Sequence, residues 1–394
     1  MITKKTALRI SDARATRSAD LDDTVIACLL PYASNKKFQT QYLFNIEALY
    51  NFEVIYYNIV NLRRQHNTIY RQGTMYKLFT LTKNTFLETL RQPVYAVLII
   101  AALLLFFISP SLTMYTMSDD NKLLREIGLS TLFLTSLFIA IFSAAGTVAE
   151  EIENKTIITV LSKPVQRPIF IFSKFLGVAA AVAVAHYICT IALLMVIREG
   201  VLESSNDAHD QPVLVTAGVV VALVFLLSAF LNYAYDWRFS STAVMLTGIF
   251  ATIGIVFLSF IDENWRFNPK GNGINALDIY GSILLLLAAT IIVALAVALS
   301  GRFNTVVTLS ACVGIFLLGL VSDYTFGRFA QTHLWAKICW FVVPNLQIFW
   351  ISDAIYEGST VPPKYILISA TYALCYTAAI LLSAIALFQR RQVG

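Results

Sequence analysis

Glu150, Glu151 and Glu153 open a charged island, AEEIENKTIITVLSKPVQRPIFIFSK from Ala149 to Lys174, set between two of the most apolar segments of the chain. These residue types offer a charged and apolar surface rather than a catalytic set. Thr156 can cap a short helix over 156–162 and Pro164 can stop it. Such a helix presents Ile157, Ile158, Val160 and Leu161 as a small apolar knob, while Lys155, Lys163, Arg167 and Lys174 make its other side basic. The plainer alternative is a solvated loop whose carboxylates favour the positive end of a helix.

Other chemistries lack their residues. Cys28, Cys189, Cys312, Cys339 and Cys375 are scattered, with no CxxC pair, and three of them lie in apolar runs where they act as small hydrophobes. The four histidines are equally dispersed, and His186 within an apolar segment reads as a helix-to-helix hydrogen bond rather than a metal ligand. Neither HExxH nor GxSxG occurs, which argues against a hydrolase. GxxxxGK[ST] is absent too, so the chain is expected to bind no nucleotide or other cofactor itself. An ion-coupled carrier would place carboxylates or basic residues at mid-membrane, and the apolar segments are nearly free of charge.

The elements that must position the island are membrane helices. With 57% hydrophobic residues, 13% charged residues and a mean hydropathy of +0.69, the composition lies outside the range of soluble globular domains. An all-α polytopic membrane protein is the expected fold class. The net charge of +5 is small and spread over loops, so it reads as an orientation signal and contact with the lipid bilayer, with no nucleic-acid surface.

Residues 1–74 form a polar N-terminal extension with no long apolar run, and no signal peptide is expected because 11–23 is polar and charged. Within it, the stretch from Leu43 could be an amphipathic helix or a strand. Residues 75–92 read as an amphipathic interfacial helix, with Phe79, Phe86 and Leu90 on one face and Lys77, Asn84, Glu88 and Arg91 on the other. From 93 to 394 the pattern gives about eight spans: 94–112, 127–148, 175–197, 213–233, 241–261, 279–300, 306–321 and 365–388. Gly177, Ala181 and Ala185 form a small-residue stripe in the third, suited to close helix approach. Ser322 to Lys364, with Trp335, Trp340, Phe341, Phe349 and Trp350 around Pro344, is too short and broken to span and reads as interfacial or re-entrant helices. Six spans plus re-entrant helices is the alternative count. Basic residues near span ends put the island and both termini in the cytosol, in an integral plasma membrane protein.

The order Glu150-Glu151-x-Glu153-x-x-Thr156, then Leu161, Pro164 and Arg167, followed by Lys174-Phe175-Leu176-Gly177, resembles the loop of the type-2 permease family of ATP-binding cassette (ABC) exporters. The amphipathic "elbow" helix before the first span is also similar. In layout the resemblance covers Met75 to the C-terminus and leaves residues 1–74 outside. It implies that Glu150, Glu151, Glu153, Thr156, Ile158, Leu161, Pro164 and Arg167 belong to a coupling helix that docks on a separate ABC ATPase subunit. ATP and magnesium would then be bound by that ATPase partner, and the permease would pair with a second copy or a paralogue. This chain has Lys155 where the family usually carries glycine. The other readings are a membrane scaffold or assembly factor that keeps the permease fold, and an ion-coupled carrier.

Overall fold

The computed structural model describes residues 75–113, 120–149, 167–201, 209–268, 275–330, 332–352, 354 and 361–389. They belong to a unit that begins at Met75. The elbow helix runs over 75–91. It is followed by α1 (Pro93–Thr113), α2 (Asp120–Ala144), α3 (Arg167–Glu199), α4 (Gln211–Tyr235) and α5 (Phe239–Leu258). The second half contributes α6 (Ala276–Ser300), α7 (Thr305–Ser322), α8 (Leu334–Val342) and α9 (Pro363–Gln389). Two helices change pitch at one end: α2 runs on as a π-helix over Ala145–Ala149, and α7 over Asp323–Gly327. Among the described residues there is no strand, only the isolated bridge between Ile261 and Phe267.

Eight helices, α1 to α7 and α9, are long and apolar enough to cross a membrane, so the protein is an all-α, multi-pass membrane protein with eight candidate spans. Each falls where the apolar runs predict, but two begin earlier. Helix α2 starts at Asp120 instead of near Ile127, because Arg125 is neutralised at 3.3 Å by Asp278 at the start of α6. Helix α3 starts at Arg167 instead of Phe175. Pro168 fits a first helical turn, where its missing N–H costs nothing, and the Lys174 ammonium lies 3.6 Å from Glu88.

Burial separates a centre from a perimeter. The apolar windows of α2, α6 and α3 are 72%, 61% and 56% buried within the protein, against 22–28% for the other five spans. Lipid is as apolar as leucine, so van der Waals fit and polar contacts hold membrane helices together. The contact faces of the centre accordingly include small residues: Ala140 and Ala144 on α2, Ala181 and Ala185 on α3, and Ala289, Ala294 and Ala296 on α6 are all fully buried.

The segment between α7 and α9 folds back into the bundle. The Leu346 N–H donates to the Gly319 carbonyl of α7 at 3.1 Å. A side chain at Gly319 would stand 2.8 Å from the Pro344 carbonyl oxygen, so only glycine lets the two backbones meet there. Three tyrosines of α9 supply partners for backbone groups at the end of α8 and in the turn that follows: the Tyr365 hydroxyl donates to the Ile348 carbonyl at 2.6 Å, the Asn345 N–H donates to the Tyr372 hydroxyl at 3.0 Å, and the Tyr376 hydroxyl donates to the Val342 carbonyl. Tyr365 and Tyr376 are separated by about 16 Å of helix, which is how far the segment follows α9 into the spans. Irregular backbone at such depth persists only where the protein satisfies it. Pro344, around which the aromatic residues of this segment gather, lies at the inner part of this excursion.

Candidate functional site

The stretch 156–162 expected to be helical, and with it Glu150, Glu151, Glu153, Thr156, Ile158, Leu161 and Pro164, lies outside the described residues. Arg167 is described as the first residue of α3. The charged segment therefore leaves the end of α2 and re-enters at the start of α3, two of the three central helices. What these two stems touch decides where a force on the segment would go.

Both stems rest on the elbow helix or its corner with α1. On the α3 side, a Cβ at Gly177 would stand 2.6 Å from Thr85 Cβ and 2.9 Å from the Thr82 carbonyl oxygen, so α3 and the elbow are in backbone-level contact. One turn earlier, Lys174 Nζ lies 3.6 Å from Glu88 Oε2 and 5.8 Å above the Phe170 ring. One turn later, the Tyr95 hydroxyl of α1 donates to the Ala181 carbonyl at 2.8 Å. The small-residue stripe expected in α3 is thus the track on which the elbow and α1 sit. On the α2 side, Gly146 within the π-helix faces the Gln92 amide, whose nitrogen would be 2.5 Å from an added Cβ. The amphipathic pattern of the elbow needs one correction: Phe79 is 69% exposed, and the face that packs inward carries Thr85, Thr89 and Leu90. Small threonine side chains let α3 come close on this face, a choice that counting apolar residues overlooks.

The opposite, far end of the bundle holds the charges that composition placed in loops. Arg198 ends α3 with its side chain 2% exposed; its Nε donates to Asp210 Oδ2 at 2.8 Å and its Nη1 to the Leu258 carbonyl at 2.6 Å. Asp210 in turn caps α4 by accepting the Val213 N–H at 3.2 Å. One guanidinium thereby joins the ends of α3, α4 and α5. Beside it, Glu199 Oε1 lies 2.7 Å from His209 Nδ1. Asp278, 2% exposed, pairs with Arg125. Arg198 and Asp278 were both expected in loops; the signal that locates them is their position within one turn of an apolar run, where a charge must find a partner or leave the bilayer.

One helical turn further along α6 from Asp278, the Ser282 hydroxyl lies 2.6 Å from Thr190 Oγ1 and 3.2 Å from His186 Nε2, which is also 2.9 Å from the Ser282 carbonyl oxygen. That carbonyl only accepts, so Nε2 carries a proton. His186 Nδ1 lies 2.8 Å from the Ser136 hydroxyl. The ring therefore bridges α2, α3 and α6, the helix-to-helix role expected for it. No group of three or more histidine, cysteine or acidic side chains suited to a metal occurs among the described residues.

The described site is thus two stems, the α3 stem against the elbow helix and the α2 stem against Gln92 at the corner of the elbow and α1, with buried charge pairs at the opposite end of the bundle. A search of curated proteins found no match. The description "ABC-2 family transporter protein" matches residues 25–262. The match takes in residues 25–74, which the motif-based resemblance leaves out, and extends through the elbow helix and the charged segment to the end of α5. More than half of the sequence, including both stems, is covered, and the chain belongs to the ABC-2 family of transporter proteins.

Proposed function

We propose that this chain is the membrane-spanning permease subunit of an ABC-type export system, working with a second copy or a paralogue and driven by a separate ATPase subunit. The observation that carries the reading is that the segment 150–166 is continuous with α2 and α3, two of the three most buried helices, while the elbow helix packs on the α3 stem and Gln92, at its corner with α1, packs on the α2 stem. A force applied to the segment is delivered to the centre of the bundle. Glu150, Glu151, Glu153, Thr156, Ile158, Leu161, Pro164 and Arg167 form the coupling contact, with the apolar residues seated in a groove of the ATPase and the carboxylates at its rim. ATP and magnesium are bound by that partner.

The loop end faces the cytosol of a plasma membrane protein, with both termini on that side. Lys77, Lys83 and Arg91 in the elbow helix, and Arg167, Lys174, Arg238 and Arg302 near span ends, fall on this side, and the positive-inside rule favours it. Purification of the full chain in mild detergent, followed by identification of co-eluting proteins, tests the reading. An ABC ATPase is expected to co-elute; its consistent absence from preparations that retain other membrane partners would reject the coupled permease.

A further inference from the structure

At the far end of the bundle α5 stops at Leu258, whose carbonyl accepts from Arg198 Nη1, and the same guanidinium holds Asp210 at the start of α4. These helix ends mark the level at which the apolar spans finish. From that level the chain folds into a small hairpin over 260–268. Ile261 and Phe267 form its antiparallel bridge, the Asp262 N–H donates to the Arg266 carbonyl at 2.9 Å, and the Asn268 N–H donates to the Phe260 carbonyl at 3.0 Å. The Trp265 N–H closes the turn on the Asp262 carbonyl at 3.0 Å. Trp265 has a φ of 59°, a left-handed conformation that only Asp236 shares among the described non-glycine residues. A bulky side chain is an unfavourable choice for such a backbone, and the protein leaves this one 47% exposed. Beside it the rings of Phe260 and Phe267 stack, with centroids 6.0 Å apart and planes within 4°, and Phe267 is 77% exposed. A strained but well-bonded turn thus holds three aromatic rings outward.

We propose that the 260–268 hairpin is an interfacial anchor, whose Trp265, Phe260 and Phe267 bind the boundary between headgroups and acyl chains in the leaflet at the far end. Level decides the occupant. Phe260 stands two residues past Leu258, at most ~7 Å of chain, and the polar layer of one leaflet is about 5–7 Å thick. The bridge and the ring stack bring Phe267 to the same level. Tryptophan favours that layer because its ring is apolar and its N–H is polar. The charged residues of the hairpin are Asp262, Glu263 and Arg266, two acidic against one basic, so attraction to anionic lipid is not the basis of the contact. A zwitterionic lipid surface is the partner that fits. The anchor depends neither on the ATPase nor on which leaflet the far end meets.

Fluorine NMR of the full chain labelled with fluorotryptophan, in phosphatidylcholine nanodiscs, tests the anchor. The chain has five tryptophans, and the resonance missing in Trp265→Gly is that of Trp265. Glycine adopts a φ of 59° without strain, so this variant keeps the turn. Trp265→Phe gives the same assignment should the glycine variant fail to fold. A lipid carrying a nitroxide near its carbonyl should broaden the Trp265 resonance severalfold more than a lipid carrying one near the chain end, and more than a gadolinium chelate in the water. Replacing phosphatidylcholine by phosphatidylglycerol should leave this pattern unchanged. Strongest broadening by the aqueous chelate would put the ring in water and overturn the proposal, as would strongest broadening by the chain-end nitroxide, which would put it in hydrocarbon. Broadening by none of the three would mean that protein covers the ring, a second copy of this chain included, and would overturn it as well. A lipid contact seen only in phosphatidylglycerol would make Arg266 the contact and reject the aromatic anchor.

Discussion

At the far end of the bundle Arg198 and Asp210 meet at 2.8 Å with side chains 2% and 3% exposed, whereas at the loop end Lys174 and Glu88 stand 3.6 Å apart and Glu88 is 45% exposed. The far-end pair is closed by further bonds to the Leu258 carbonyl and the Val213 N–H. The loop-end contacts are mostly of shape: Gly177 against Thr85 and Gly146 against Gln92. Removing one partner of a buried, multiply bonded charge pair leaves a charge that nothing compensates. Shape contacts between small residues resist overpacking but let one surface shift along another. One end is fastened by buried, multiply bonded charge and the other by fit between small side chains.

Arg198→Leu should have the largest effect. It strands the Asp210 carboxylate and frees the ends of three helices, at a cost of about 3–5 kcal/mol. The readout is thermal unfolding of the purified protein in detergent. A change no larger than that of an exposed surface substitution would remove the contrast between the two ends.

Gly177→Leu comes next, at about 1–3 kcal/mol for an overpacked helix contact. Its instructive partner is Gly177→Ala combined with Thr85→Gly, since deleting the Thr85 side chain opens the space into which the new methyl group points. In a double-mutant cycle the pair should be less damaging than the sum of the single changes. Strict additivity would mean that the elbow and α3 do not meet as described.

His186→Leu breaks the bridge between α2, α3 and α6 and should cost about 1 kcal/mol, between the average of about 0.6 and the maximum of about 1.7 kcal/mol for a hydrogen bond between membrane helices. His186→Gln, which keeps a donor and an acceptor, should recover part of this. If both variants unfold together with wild type, the ring has no role in holding the centre.

Glu88→Gln should be the mildest, below about 1 kcal/mol, because its partially exposed carboxylate is screened by solvent. Its effect should fall on transport coupling rather than on the unfolding temperature. A large loss of stability would show that the loop end is fastened by charge as the far end is.

The spans were legible in the sequence because apolar runs of about twenty residues have one stable fate in a bilayer. The stripe Gly177, Ala181 and Ala185 was legible for a related reason: small residues at helical spacing admit a backbone neighbour, and Thr82, Thr85 and Tyr95 are what it admits. Charge at the span ends was less legible. Asp278 looked like part of a polar loop, yet it sits within the first turn of α6, because Arg125 on a helix distant in sequence makes its burial tolerable. Pairings across more than a hundred residues leave no local periodicity. The face of the elbow helix was misjudged for the same reason: what packs inward is set by the glycine opposite, not by the hydrophobicity of Phe79. Glu150 to Pro164 lie outside the described residues, and the docking role proposed for them rests on the motif.

The coupling contact is tested most directly by purifying Leu161→Asp and Glu151→Gln with the ATPase and measuring its retention and substrate-stimulated ATP hydrolysis. We expect Leu161→Asp to place an unpaired charge in the partner's groove, costing about 2–5 kcal/mol of association and releasing the ATPase. Glu151→Gln should keep the complex assembled and lose the stimulation. Wild-type retention and wild-type stimulation in both variants would contradict the assignment of this segment as the coupling element.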